Sequence, residues 1–267
     1  TLTLNSNYQW SSGENVTSNR TKTCTISKAT PTITLNATSG TVVKGKTLSF
    51  NAKATVAGDF TISTSSTSIA TVSPTSAADV AANTNKAITV TGVASGSATI
   101  TVKFTPNDTT NYNSASNKKY TATITNSATI PTNSLCVART YTGSAQQLTS
   151  ATSGTGYTLS GYSQTNAGEH TVTATLSSGY RWSDNATGTK TFKCTIARKA
   201  IDEPSCTART YNGSSQTMLA AKTSGGYTNS AITGTNAGSY SQTLTLNSNY
   251  QWSSGENVTS NRTKTCT

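Results

Sequence analysis

The stretch TNAGEHTVTATLSSGYRW, Thr165–Trp182, decides the fold. Within it Val172, Ala174 and Leu176 alternate with Thr173 and Thr175, giving an extended chain one face for a core and one for water. A Ser-Ser-Gly turn follows, after which Tyr180 and Trp182 share a face, and Phe192, Cys194 and Ile196 alternate again. Elsewhere Leu48, Phe50, Ala52 and Ala54 share one face, as do Ala98, Ile100, Val102 and Phe104, and later Tyr120, Ala122 and Ile124. Short strands split by Gly, Asn and Ser turns, with no sustained helical period, predict an all-β chain of sandwiches. SAADVAANTNKA, Ser76–Ala87, is the one helix-tolerant stretch and reads as a loop with at most one turn.

The deciding stretch recurs. TNAGSYSQTLTLNSNYQW, Thr235–Trp252, aligns with it at a shift of 70, and at the same shift CVARTYTGSAQQL from Cys136 aligns with CTARTYNGSSQTM from Cys206. A longer repeat encloses the shorter one: TLTLNSNYQWSSGENVTSNRTKTCT is both Thr1–Thr25 and Thr243–Thr267, without one difference in 25 positions. Thr1 to about Ser27 therefore reads as the closing half of a module whose opening half lies elsewhere, and the whole as one period of a tandem array. The alternative expectation is exchange, in which those closing strands displace the identical segment of a neighbour. Pro31, Pro131 and Pro204 each fall just before a module's expected first strand, where a residue unable to donate into a ladder marks a junction.

Composition narrows the class. Only 33% of residues are hydrophobic and 11% charged, and about a fifth are Thr. Disorder would bring few β-branched residues and a high charge density, whereas here Thr, Val, Ile and Tyr alternate as half-buried strands require. The net charge of +11 is spread over 20 Lys and Arg whose longest clusters are Lys118–Lys119 and Arg198–Lys199. A nucleic-acid footprint needs a concentrated basic stripe with aromatics for stacking, so specific nucleic-acid binding is not expected; a merely solvated basic surface is the first reading, and a loose affinity for anionic cell-wall polymers the alternative. No apolar run approaches a membrane span, and no catalytic nucleophile with its base, phosphate loop or close Cys/His pair is present, so no enzyme activity, cofactor or metal is expected.

The segment from ATPTITLNATSG to YTATITNSA, with SGTVVKGKTLSFNAKATV, STSIATVS and ITVTGVASGSATITV, resembles the bacterial immunoglobulin-like group 2 domain. The short modules, with Tyr-x-Gly-Ser, Asn-Ala-Gly, Gly-Tyr-x-Trp and a closing Thr-Ile, resemble a related immunoglobulin-like repeat of secreted surface proteins and adhesins. The resemblance implies tandem immunoglobulin-like β-sandwiches in a rod-like array, divided as 1–29 (a truncated module), 30–127 (group 2-type), 128–199 and 200–267 (short modules with a Cys pair each). It implies an extracellular or cell-surface location.

Five cysteines fit that division. Pairing Cys136 with Cys194 and Cys206 with Cys266 treats both copies alike and leaves Cys24 to a partner outside the chain given; pairing Cys194 with Cys206 across the linker is the rival scheme. His170, the sole histidine, takes the place of Tyr240 in the other copy, and that Asn-x-Gly-x-Tyr resembles the tyrosine corner of immunoglobulin domains. A structural role for His170 and Tyr240 is thus expected. Trp10, Trp182 and Trp252 read as core aromatics, with a sugar-stacking platform as the alternative. Asn-x-Ser/Thr sequons stand at Asn15, Asn19, Asn36, Asn107, Asn185, Asn212, Asn257 and Asn261. The expected function is a stiff, disulfide-stapled spacer of a fibre, stalk or surface protein whose partners are neighbouring copies. The alternative is an adhesin or phage-fibre module that recognises host glycan or protein through loops bearing Tyr157, Tyr162 and Tyr227.

Overall fold

The structure is a computed structural model of the chain that describes residues 1–13, 16–255 and 258–267. It falls into two compact units, Thr1–Ile124 and Thr125–Thr267.

The first unit holds a two-sheet antiparallel sandwich. One sheet is built from β1 (Ile33–Leu35), β3 (Thr47–Ala54), β7 (Lys86–Gly92) and β5 (Ala70–Ser73) in that order. The other runs β9 (Lys118–Ala128), β8 (Gly96–Pro106), β4 (Gly58–Thr64) and β6 (Ser76–Val80), with β2 (Ser39–Val43) also on β9. Their inward faces are the alternating residues read from the sequence. Phe50, Ile88 and Val90 from one sheet meet Phe60, Ile100, Val102, Tyr120 and Ile124 from the other in one buried cluster. The Phe50 and Tyr120 rings stack at 4.0 Å and 5°. Sequence neighbours do not pair in order, since β3 lies beside β7, and two antiparallel sheets joined by such crossovers make the immunoglobulin-like class.

One expectation fails here. Ser76–Val80 is not a loop but strand β6, paired antiparallel with β4 through Thr61–Ser76 and Phe60–Ala77. An edge strand needs one partner and little apolar surface, so its sequence, Ser-Ala-Ala-Asp-Val, shows no period-2 signal. Asp79, at φ 50°, donates its N–H to the Asp59 carboxylate (2.8 Å), and the strand ends one residue later.

In the second unit, Lys190–Ala197 and Gly168–Leu176 pair antiparallel from Ala174–Lys190 to Gly168–Ile196, with Tyr157–Ser160 on the far side of Gly168–Leu176. Val172, Ala174, Phe192, Cys194 and Ile196 enter a core with Leu148 and Trp182. The second copy repeats the plan: Tyr240–Leu246 pairs with Arg262–Cys266 and with Tyr227–Thr228. Its core divides into a cluster of Met218, Ile232 and Cys266 and a cluster of Tyr227, Leu244 and Trp252. Even surface contacts recur at the shift of 70. Arg139 Nε donates to Gln147 O and Arg209 Nε to Thr217 O, both at 2.9 Å.

Candidate functional site

The parts of the molecule with the most built-in chemistry are the staple, the corner and the joint between copies. The staple comes first. Cys136 is disulfide-bonded to Cys194 and Cys206 to Cys266, with Cα atoms 5.5 Å and 5.7 Å apart. Cys194 and Cys266 sit on closing strands and are 2% and 1% exposed, so each bridge fastens the start of a copy to its last strand from inside the core. Cys24 is a free, exposed thiol.

At the corner, the Tyr240 hydroxyl donates to the Asn236 carbonyl at 3.1 Å. His170 Nε2 stands 2.7 Å from the Asn166 carbonyl, the equivalent atom at the shift of 70. Imidazole and phenol thus reach back over the same four residues and fix the same turn. Gly234 leaves room for the Tyr240 ring, since a Cβ there would strike it. Behind the corner, Trp182 and Trp252 are 0% and 1% exposed, and each indole N–H donates at 2.9 Å to a backbone carbonyl, of Gly188 and Ser260. Tyr157 leans on Trp182 and Tyr227 on Trp252, and burial pushes the Tyr227 phenol pKa up. Those two indoles face the core, not the surface; Trp10 is half-buried. In the loop after Trp182, Asp184 accepts from Lys190 Nζ and from the Ala186 N–H at 2.9 Å each, which holds its carboxyl below the usual carboxylate range.

The joint is the part the sequence did not announce. After Ala197 the closing strand breaks only at Arg198; Lys199–Ile201 then pairs parallel with Tyr250–Trp252 of the next copy. Lys199 N–H donates to Asn249 O (3.1 Å) and Ser253 N–H to Ile201 O (2.8 Å). The preceding copy receives Asn126–Ala128 in the same way, beside Tyr180–Trp182, with Asn126 N–H to Gly179 O (3.0 Å) and Ser183 N–H to Ala128 O (2.9 Å). Within the first unit Ala29 does likewise, donating to Asn111 O (2.9 Å) and accepting from Asn113 N–H (2.8 Å) beside Tyr112. Each of these parallel pairs lies N-terminal to Pro31, Pro131 or Pro204. A parallel pair takes N–H groups from the entering strand, so it is complete before a residue without one.

Side chains close the joint in the second unit. Asn249 Oδ1 accepts from the Ala167 N–H (2.7 Å) while its Nδ2 donates to Asn166 Oδ1 (3.2 Å). Arg198 Nε donates to Ser248 O (3.0 Å), and the Tyr141 and Tyr250 rings meet edge-on at 5.3 Å. Asn166 carries the carbonyl that His170 holds, so the corner positions the loop on which the next copy docks. The shift-70 alignment sets Gly179 opposite Asn249, so comparing the copies did not single Asn249 out, and Ile201 falls out of phase with the alternation of Phe192, Cys194 and Ile196.

Of the sequons, Asn15 and Asn257 lie outside the described residues. The Asn19, Asn36 and Asn261 side chains accept backbone N–H groups of Leu4, Asn51 and Leu246. Among the described residues, no His, Cys, Asp and Glu cluster of three is placed to hold a metal ion, and no helix is long and apolar enough to cross a membrane.

No family model and no curated protein matches the chain. Among solved structures it is similar to WR4, a Caenorhabditis elegans MSP family member, at 12% identity over 34% of this chain and 96% of that one, with a TM-score of 0.29. It is also similar to the fibronectin(III)-like modules of Clostridium thermocellum CbhA, at 11% identity over 62% and 94%, TM-score 0.27. An ICAM-5 D1–D4 ectodomain fragment aligns at 8% identity over 88% and 75%, TM-score 0.28. The fold assignment rests on the chain's own sheet order and register.

Proposed function

We propose that this chain is a structural repeat segment of an extracellular fibre, stalk or cell-surface protein, a stiff stapled spacer that adds length copy by copy. The observation that supports it is the joint: within each unit one donor–acceptor pattern, at Ala29 in the first and at Asn126 and Lys199 in the second, ties an entering segment to the body it precedes. Backbone ladders set a fixed entry direction, and tandem copies joined that way add length in proportion to their number. The staples support an oxidising location, because disulfides of this kind persist outside the cytosol. The divisions at 1–29, 30–127, 128–199 and 200–267 belong to this proposal, as does a rod-like array of neighbouring copies.

The test is scaling. Chains concatenated through the shared 25-residue segment are expected to show a radius of gyration that rises in proportion to copy number. An exponent of about 0.5–0.6, that of a flexible chain, would refute the spacer reading. In the host, deleting one period is expected to shorten reach and leave attachment intact; loss of attachment at restored reach would favour the adhesin alternative instead.

A further inference from the structure

Three inward positions that are apolar in the first copy of the second unit are polar in the second. Leu159, Val172 and Phe192 are buried in one continuous core with Leu148, Tyr157, Trp182 and Cys194. The shift of 70 sets Asn229 at the place of Leu159 and Gln242 at that of Val172. Past Trp252 the second copy is longer, and Gln242 pairs with Lys264 where Val172 pairs with Phe192, so Lys264 takes the place of Phe192. With these apolar links replaced, the second core divides into its Met218 cluster and its Tyr227 cluster. Amides and a cation in such positions cost free energy unless each finds a partner.

Not all of these groups find one. Lys264 Nζ lies 3.7 Å from the Glu203 carboxylate. Asn229 Nδ2 donates to Ala220 O (3.1 Å) and Ser230 O (2.7 Å), but Asn229 Oδ1 is buried and accepts nothing. Gln242 is exposed. The sheet opens at the same place. In the first copy Tyr157–Ser160 pairs with Gly168–Leu176 as far as Ser160–Thr173, whereas in the second the ladder stops at Thr228–Thr245 and Ser230 does not pair with Thr243. A depression of about 430 Å³ lies at this gap, with Lys222, Thr228, Asn229, Ser230, Gln242 and Thr243 in its wall and no carboxylate. Lys222 Nζ stands 4.3 Å from the centroid of the Tyr227 ring, and no acidic side chain of the described residues pairs with it. Every residue of the wall lies between Cys206 and Cys266, inside one stapled copy.

We infer that this gap is a saccharide site of the second copy, and that its ligand is a sugar bearing a carboxylate, a uronic or sialic acid residue. The wall offers amides and hydroxyls, which donate and accept as neighbouring sugar hydroxyls require, around one ammonium that has no acid of its own. The sugar carboxylate meets Lys222 Nζ, which the Tyr227 ring holds in place. Sugar hydroxyls meet Thr228, Ser230 and Gln242, and one of them supplies the donor that Asn229 Oδ1 lacks. The first copy, with Leu159 and Val172 in the corresponding places, is expected not to bind. The inference stands on the difference between the copies and not on the spacer reading: a stiff spacer can carry a site in one copy, so the two fail separately.

The test is an amide 15N chemical-shift titration of the full chain with sialyllactose and with trigalacturonic acid, and with lactose and sodium acetate as controls. At least one acidic saccharide is expected to shift the amides of Thr228, Asn229 and Thr243 and to leave those of Thr158, Leu159 and Thr173 in place. Lys222→Gln, at an exposed side chain, removes one charge-assisted hydrogen bond and should weaken binding about tenfold. Asn229→Leu with Gln242→Val restores the first copy's residues, so the shifts should vanish while the melting temperature holds or rises. No response to either acidic saccharide overturns the inference. An equal response to lactose or to acetate does so too, as does full binding by the Lys222→Gln chain or by the double variant.

Discussion

Reducing the Cys136–Cys194 bridge should release a length of chain that the oxidised molecule never surrenders to force. A pull enters this copy at Asn126–Ala128 and leaves past Ala197, while the bridge ties Cys136, close to the entrance, to Cys194, close to the exit. The 58 residues of separation are therefore shielded when the copy is opened. At about 3.5 Å per extended residue they amount to roughly 200 Å, and the 60-residue separation of Cys206–Cys266 to about 210 Å. Single-molecule force–extension curves of the chain, recorded with and without a thiol reductant, measure the difference. Each unfolding step from these copies should lengthen by about 200 Å on reduction. Equal step lengths in both conditions would refute the idea that the staples carry load from one end of a copy to the other. The same closed loops bear on equilibrium stability: the chain-entropy model gives roughly 4 kcal/mol per bridge, so Cys136→Ser with Cys194→Ser should lower the melting temperature by roughly 16–32 °C if this copy melts alone.

Trp252→Ala, in a fully packed site, should cost about 3–5 kcal/mol by denaturant titration, and a cost under about 1 kcal/mol would contradict that packing. Burial raises the Tyr120 phenol pKa, so the unfolded chain loses this proton first as the solution becomes alkaline. The stability Tyr120 contributes is complete below its unfolded pKa of 10.0 and falls as pH climbs from there towards the folded value; Tyr120→Phe should flatten that decline in a pH series, and an unchanged decline would remove Tyr120 as its cause. Gly156 adopts φ +81° and a Cβ there would strike the Tyr180 ring, so Gly156→Ala should destabilise by about 1–3 kcal/mol in thermal melts, and a neutral result would mean that this turn yields.

Legibility in the sequence followed the physics of burial. Val172, Ala174, Phe192, Cys194 and Ile196 were readable because a half-buried strand must alternate with period two, and the structure buries them all. Ser76–Val80 was not, because a single-partner edge strand leaves no apolar face to read. The cysteines stood out through their fixed places in two aligned copies, and the structure sets Cys136 beside Cys194 and Cys206 beside Cys266. The joint was invisible for a different reason. Its bonds are mostly backbone to backbone, and its key side chains, Asn166 and Asn249, are 83 residues apart and of a type common throughout the chain.

The central claim is that one copy feeds directly into the next, so that the two copies of the second unit move as one body. Backbone 15N relaxation across Thr125–Thr267 tests it most directly. The account predicts that amides of the first copy, such as Val172, and of the second, such as Leu244, fit one common rotational diffusion tensor, and that Asn249→Ala, which removes both side-chain bonds to Asn166 and Ala167, begins to separate them. Two independent correlation times in the unaltered protein would contradict it.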